Sequence, residues 1–124
     1  MSRAGAGTDR FGLVTILEVE TRRGEGLAQL VLRGELDLST VKKVEDELAA
    51  LEAGEKVVVL DLSGLTFLDS TGLRLMVTAD QRAQKDGRRL VIVKGPETVQ
   101  RVFSITKLDE TLEMVDDVSE VAGA

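Results

Sequence analysis

The chain has 124 residues, a formal net charge of −6, 43% hydrophobic residues and only 2% aromatic ones. This length suits a single domain with one core. The chain contains no histidine and no cysteine, which removes the usual general base, the commonest transition-metal ligand, the thiol nucleophile and any disulfide. An acidic chain also gains little from contacts with nucleic-acid phosphates. We therefore expect a protein that is not an enzyme, holds no metal or cofactor and binds no nucleic acid.

The apolar runs of the chain are short. The longest are four residues, too few to cross a bilayer, and residues 1–12 lack the apolar stretch of a signal peptide. We expect a cytoplasmic protein without membrane contact. In this interpretation residues 1–12 form a flexible N-terminal extension and residues 13–121 form one domain.

The first third of the chain predicts two strands and a helix. Residues 13–20 alternate apolar and polar side chains as an edge strand does, residues 21–26 predict a turn, and residues 27–33 predict the second strand. The segment GELDLST then leads into a helix for which Ser39 or Thr40 is the expected N-cap. Its inward positions recur at helical spacing: Val41, Val44, Leu48 and Leu51.

The rest of the chain continues the alternation of strands and helices. The predicted elements are a buried strand at 56–62, a loop at 63–70, a helix at 71–85, a buried strand at 88–94, a helix after Gly95-Pro96, a short strand at 111–115 and a terminal helix at 116–121. The resulting order, ββαβαβαβα, predicts a single α/β domain built on a mixed sheet.

Four residues at the start of the second helix draw attention: Asp69, Ser70, Thr71 and Gly72. Asp, Ser and Thr are favoured N-caps, so a purely structural role is the simplest interpretation. However, a cap needs only one of them, and polar groups at the carboxyl ends of strands in α/β sheets are often functional.

The second helix carries apolar residues on more than one side. Its core face is predicted to consist of Gly72, Leu75, Met76, Ala79 and Ala83. Leu73 and Val77 lie beside that face and predict a half-exposed apolar strip next to Ser70. Such a strip is either the shoulder of the core or a surface for a partner.

Three classes of activity are disfavoured by the residues present. A serine hydrolase would need a base for Ser70, but the chain has no histidine and no Ser-x-x-Lys pairing at this serine. Asp61 ends a Val-rich strand as in response-regulator receivers, but the acidic pair that such a domain needs after its first strand is missing. A nucleotide-hydrolysing domain would need a Gly-rich phosphate loop with lysine, which the chain lacks.

Three segments, GELDLST, DLSGLTFLDSTGL and GPETVQRVFSITKLDE, together resemble the STAS-domain anti-sigma factor antagonists of bacteria. The resemblance covers about residues 11–120, and its most specific part is D-S-T-G-L. It implies the STAS fold, a mixed sheet of about five strands with about four helices mostly on one face. It also implies partner switching in transcription regulation, as in stress responses.

In that family the serine after the aspartate is phosphorylated by an anti-sigma factor that is itself an ATP-dependent serine kinase. By resemblance, Ser70 is the phosphoacceptor and Asp37, Asp69, Thr71 and Gly72 are its neighbours. Thr71 stands where a second serine is commoner, which leaves a second acceptor open. We expect the first-turn N–H groups of the helix, together with its dipole, to tolerate the phosphate.

The resemblance implies that the unphosphorylated form binds the anti-sigma kinase and releases the sigma factor. Phosphorylation would switch this binding off until a serine phosphatase restores it. The residues expected to contact the partner are Glu35, Asp37, Leu73, Arg74 and Val77. The alternative is a STAS subunit of a lipid-transport complex or a signalling scaffold. The intact Asp-Ser pair favours the switch.

Overall fold

The computed structural model describes residues 17–24 and 26–121. The elements in chain order are β1 (Leu17–Gly24), β2 (Leu27–Leu36), α1 (Val41–Glu52), β3 (Val57–Leu68), α2 (Ser70–Lys85), β4 (Arg89–Val93), α3 (Glu97–Ile105), a 3₁₀ helix (Leu108–Glu110), β5 (Met114–Val115) and a second 3₁₀ helix (Val118–Glu120). About four helices were expected, whereas the described residues form three α-helices, because the terminal helix is only a 3₁₀ turn. The predicted extension at residues 1–12 lies outside the described residues.

The five strands form one mixed sheet in the order β1-β2-β3-β4-β5. The β1–β2 pair is antiparallel, and the β2–β3, β3–β4 and β4–β5 pairs are parallel. Each parallel connection contains a helix, as a crossover between parallel strands requires. The α/β class and the mixed five-stranded sheet are therefore confirmed.

The hairpin connection predicted at residues 21–26 does join β1 to β2, but its predicted start is wrong, because β1 continues to Gly24 and pairs there with Leu27. Polar side chains in this part of β1 find partners outside the strand. Thr21 donates a hydrogen bond to Glu47 of α1, and Arg23 forms an ion pair with Glu55, just before β3. Gly26 adopts a positive φ of 81°, which glycine tolerates without strain.

The outer strand β1 carries a small network of ion pairs. Glu20 accepts hydrogen bonds from Arg22 at 3.0 Å and from Arg33 of β2 at 2.8 Å. These bonds, from Arg22 first and then Arg33, lower the pKa of Glu20 to about 2. Charged side chains along an edge strand discourage pairing with the edge of another sheet.

The loop predicted at residues 63–70 is also wrong, because β3 runs on to Leu68. Its pairing with β2 extends from Leu27↔Val57 to Leu36↔Leu68 and includes two register shifts, where β3 holds an extra residue. Ser63 and Gly64 are typical of a loop, but here they lie where the strand is bulged. The extended β3 ends directly beneath the start of α2.

The main core lies between the sheet and the three α-helices. It includes inward-facing residues of every α-helix, among them Val44, Leu48, Met76, Ala79, Val99 and Phe103. A smaller cluster on the other face joins Val59 and Val91 to Val121 of the C-terminal segment. The α-helices therefore cover one face, and β3 is covered on both faces, as the Val-rich run predicted.

We expect the Phe103→Ala variant to lose about 3–5 kcal/mol of unfolding free energy, because a fully buried aromatic ring would be replaced by a cavity. Phe67→Ala is the matched control. The Phe67 residue is 48% exposed, and loss of its ring should cost about 1 kcal/mol, well below the cost at Phe103. Urea denaturation of both variants measures the difference, and equal losses would contradict the assigned core.

Candidate functional site

Asp69 is the single residue between β3 and α2. Its backbone is extended, and its Oδ1 accepts hydrogen bonds from the N–H groups of Thr71 at 2.9 Å and Gly72 at 3.1 Å. The carbonyl oxygen of Asp69 accepts the N–H of Leu73 at 3.1 Å. Asp69 is therefore the N-cap of α2, which accounts for one of the polar residues in the D-S-T-G segment.

Asp69 also joins α2 to the loop between β2 and α1. Its Oδ2 accepts a hydrogen bond from the N–H of Leu38 at 3.3 Å, and its own N–H donates to the carbonyl oxygen of Leu36 at 3.2 Å. One residue thus links the end of β2, the start of α2 and the following loop. This linkage brings the GELD segment and the D-S-T-G segment together in space, as the resemblance implied.

The loop holding Asp37 is closed by its own hydrogen bonds. The Asp37 Oδ1 accepts the hydroxyl of Ser39 at 2.7 Å and the N–H of Ser39 at 3.0 Å. The N–H of Asp37 donates to Thr40 Oγ1, whose hydroxyl donates to the carbonyl oxygen of Glu35 at 2.9 Å. Thr40 occupies the N-cap position of α1, but its hydroxyl bonds to this loop and makes no side-chain cap.

Asp37 and Asp69 line one shallow groove, together with Leu38, Ser39 and Phe67. The groove has a volume of about 450 Å³. Leu38 is 76% exposed and Phe67 is 48% exposed. Neither apolar residue was predicted as part of the site. In the sequence, Leu38 is an apolar residue between the polar Asp37 and Ser39, whereas nothing distinguishes Phe67 from the leucines near it.

Ser70 is the first residue of α2 and is exposed. Within the described part of the chain its hydroxyl makes no hydrogen bond, so it is accessible to a partner. Thr71 is half-buried and lines a separate groove between α1 and α2, which also contains Glu45 and Arg74. The two adjacent hydroxyl residues therefore face different surroundings.

Gly72 is required by close packing. A Cβ atom at this position would lie 2.9 Å from Leu36 Cγ and still closer to Leu68 Cδ1. The first turn of α2 therefore rests directly on the ends of β2 and β3. A larger residue here would push α2 away from the sheet and displace the neighbouring Ser70.

The expected half-exposed strip of Leu73 and Val77 is wrong for Leu73. Leu73 is buried in the core and only Val77 is half-buried. At about 100° per residue, the buried residues of α2 span an arc of about 160°, wider than the predicted stripe. The arc is wide because α2 packs on the sheet and also beside α1. Asp80 lies inside the same arc, where it accepts a hydrogen bond from Gln84 at 2.7 Å.

The remaining predicted partner-contact residues, Glu35 and Arg74, are exposed. Glu35 belongs to β2 and pairs with Phe67 of β3, next to the groove. Arg74 lies on the outer side of α2, one turn after Ser70. Over residues 17–24 and 26–121, no cluster of acidic side chains is arranged to hold a metal ion. None of the helices in these ranges is long and apolar enough to cross a membrane.

A family model for the STAS domain matches residues 18–121. The chain belongs to the STAS domain family. It is 30% identical over 106 residues to an anti-sigma-B factor antagonist of Staphylococcus epidermidis, covering 85% of this chain and 97% of the relative. The suspected resemblance is thereby confirmed.

Solved structures show the same fold for this STAS domain. An anti-sigma factor antagonist from Mycobacterium paratuberculosis superimposes with a TM-score of 0.76 at 22% identity, covering 84% of this chain and 89% of that one. Unphosphorylated SpoIIAA, also an anti-sigma factor antagonist, gives a TM-score of 0.70 at 17% identity, covering 83% of this chain and 92% of the other.

We expect the Asp69→Ala variant of this STAS domain to lose about 1–3 kcal/mol of unfolding free energy, since both the cap and the link to Leu38 disappear. The matched variant Asp69→Asn keeps an oxygen for the cap but replaces the other by a donor that cannot accept from Leu38. Its loss should therefore be smaller. Urea denaturation distinguishes these cases, and unchanged stability of Asp69→Ala would contradict the assigned role.

Proposed function

We propose that this STAS domain is an anti-sigma factor antagonist controlled by phosphorylation of Ser70. In its unphosphorylated form it binds an anti-sigma factor with serine kinase activity, and the sigma factor is released. The observation that carries the proposal is the exposed Ser70 hydroxyl at the first turn of α2, held between the cap Asp69 and the tightly packed Gly72. The relative from S. epidermidis is named an anti-sigma-B factor antagonist, and SpoIIAA has been solved in a phosphorylated form.

Neighbouring hydroxyl groups are poorer acceptors than Ser70. The hydroxyl of Ser39 donates to Asp37 at 2.7 Å, and that of Ser63 donates to Asp61 at 2.7 Å. Thr71 is half-buried. Among these four hydroxyl groups, only that of Ser70 is both exposed and without a hydrogen bond to the described residues.

Phosphorylation acts through charge. The kinase transfers the γ-phosphoryl group of ATP to the Ser70 oxygen, releasing ADP and the hydroxyl proton. The phosphate adds about −1.5 to −2 charges at neutral pH beside the groove that already holds Asp37 and Asp69. A partner surface fitted to a neutral hydroxyl then meets repulsion and a desolvation cost. A loss of about 3–4 kcal/mol weakens binding several-hundred-fold.

The chain itself supplies no base for this chemistry, because it has no histidine and no cysteine. The modification therefore depends on the partner kinase, and its reversal depends on a serine phosphatase. In this scheme the STAS domain is a substrate and a binding partner. Its two states differ in charge at one position.

Incubation of the protein with its cognate anti-sigma kinase and ATP, followed by peptide mass spectrometry, tests the acceptor. We expect one phosphate on Ser70, none on the Ser70→Ala variant, and unchanged transfer to Ser63→Ala, a control at an exposed serine of β3 outside the groove. Absence of transfer to the wild-type protein, or transfer that persists in Ser70→Ala, would refute the proposal.

We expect Ser70→Asp to weaken binding to the anti-sigma kinase by at least about tenfold, because a charge is placed at the interface. Ser70→Asn introduces a side chain of nearly the same size as aspartate but without its charge, so this variant should retain most of the affinity. Both variants should keep a near-native melting temperature, because the side chain is exposed. Calorimetric titration measures the affinities, and equal weakening by Asn and Asp would show that size, not charge, drives the effect.

A further inference from the structure

The exposed arginine Arg74 differs from the other arginines that the structure describes. Each of the others lies within 4.0 Å of a carboxylate: Arg22, Arg23, Arg33, Arg82, Arg88, Arg89 and Arg101. Arg74 has neither an ion pair nor a hydrogen bond from its side chain in residues 17–24 and 26–121. In a chain with a net charge of −6, a guanidinium without an acidic partner is unexpected.

The position of Arg74 relative to Ser70 is well defined by the helix. The two residues are four apart in α2, so their side chains are neighbours on the same outer side. Long side chains in a helix tend to lean toward its N-terminus, so the Arg74 guanidinium, which also lines the groove with Thr71, is within reach of the turn that begins with Ser70. An anionic group four residues before a cation is also the more favourable order of an i,i+4 pair.

The backbone donors at the start of α2 are already used. The N–H groups of Thr71 and Gly72 donate to the Asp69 carboxylate, and the N–H of Leu73 donates to the Asp69 carbonyl oxygen. These three donors already have acceptors and are therefore not free to bind a phosphate on Ser70. A phosphate on Ser70 would lie beside the negative charge of Asp69, and a nearby cation would offset the repulsion between them.

We propose that Arg74 is the intramolecular partner of the phosphate on Ser70. The guanidinium offers a fork of N–H donors that matches two phosphate oxygens, and such charge-assisted bonds are stronger than neutral ones. The inference rests on the proposed function in one respect, namely that Ser70 is the residue modified. Phosphorylation then changes the surface twice, since a phosphate appears and a free arginine is withdrawn from contact with a partner.

Phosphoserine inserted at position 70 during translation tests this pairing without any kinase. The ³¹P chemical shift of the phosphate, followed against pH, gives the pKa of its second ionisation, which is about 6 in an unperturbed phosphoserine. A nearby cation favours the dianion, so we expect the midpoint to rise by about 0.3–0.5 pH units when Arg74→Gln removes that cation. Lys85→Gln, which removes an exposed cation from the far end of the same helix, should leave the midpoint within about 0.1 units.

A second measurement on the wild-type sequence uses no substitution. The Arg74 ¹⁵Nε and Hε resonances should shift between the Ser70 form and the phosphoserine form, while those of Arg101 on α3 should not. Equal titration midpoints for the wild type and Arg74→Gln would overturn the proposal, as would equal effects of Arg74→Gln and Lys85→Gln or an unshifted Arg74 resonance. A failure of kinase transfer to Ser70 would instead refute the proposed function, and leaves these measurements unaffected.

Discussion

The carboxylate of Asp69 is the group on which the arrangement of the site depends. One oxygen caps α2 through two backbone N–H groups, and the other binds the loop that follows β2. The backbone N–H of Asp69 adds a bond to Leu36 at the end of β2. Each of these bonds is worth only about 1 kcal/mol. Together they hold two segments that are about thirty residues apart in the chain within one surface.

The bulges of β3 make this arrangement possible. Without the two extra residues, the pairing that begins at Leu27↔Val57 would not place Leu68 opposite Leu36. The strand therefore reaches the start of α2 with one connecting residue, and no flexible loop intervenes. Gly72 then lets the first turn of α2 settle on Leu36 and Leu68. Position and orientation of Ser70 follow from backbone pairing and close packing.

Sequence patterns predicted the order of the strands and α-helices and singled out the D-S-T-G segment as the candidate site, because both inferences depend on local signals. The Val-rich run of β3 and the D-S-T-G segment have short-range causes in strand burial and helix capping. Strand ends were predicted less well. Ser63 and Gly64 are typical of a loop, but pairing with β2 determines their conformation. Such pairing depends on residues about thirty positions away, which a local pattern does not contain.

The same limit applies to the surface around the site. The burial of Leu73 depends on the packing of both α1 and the sheet against α2. Periodicity along one helix cannot predict how wide the buried arc of that helix is. Leu38 and Phe67 come together only because Asp69 joins their segments. Likewise, the sequence does not reveal that the first-turn N–H groups of α2 already donate to Asp69. In each case the missing information was the contact between elements.

The close packing of the first turn of α2 against the sheet has a consequence for the enzyme that would modify Ser70. Here the acceptor belongs to a helical turn that Gly72 and Asp69 hold against two strands, so it cannot be pulled out without unfolding that turn. On the proposed function, the kinase must approach an intact surface and recognise its shape. The kinase would then select its substrate and form the complex in the same docking step. A short peptide with the sequence around Ser70 would be neither recognised nor bound.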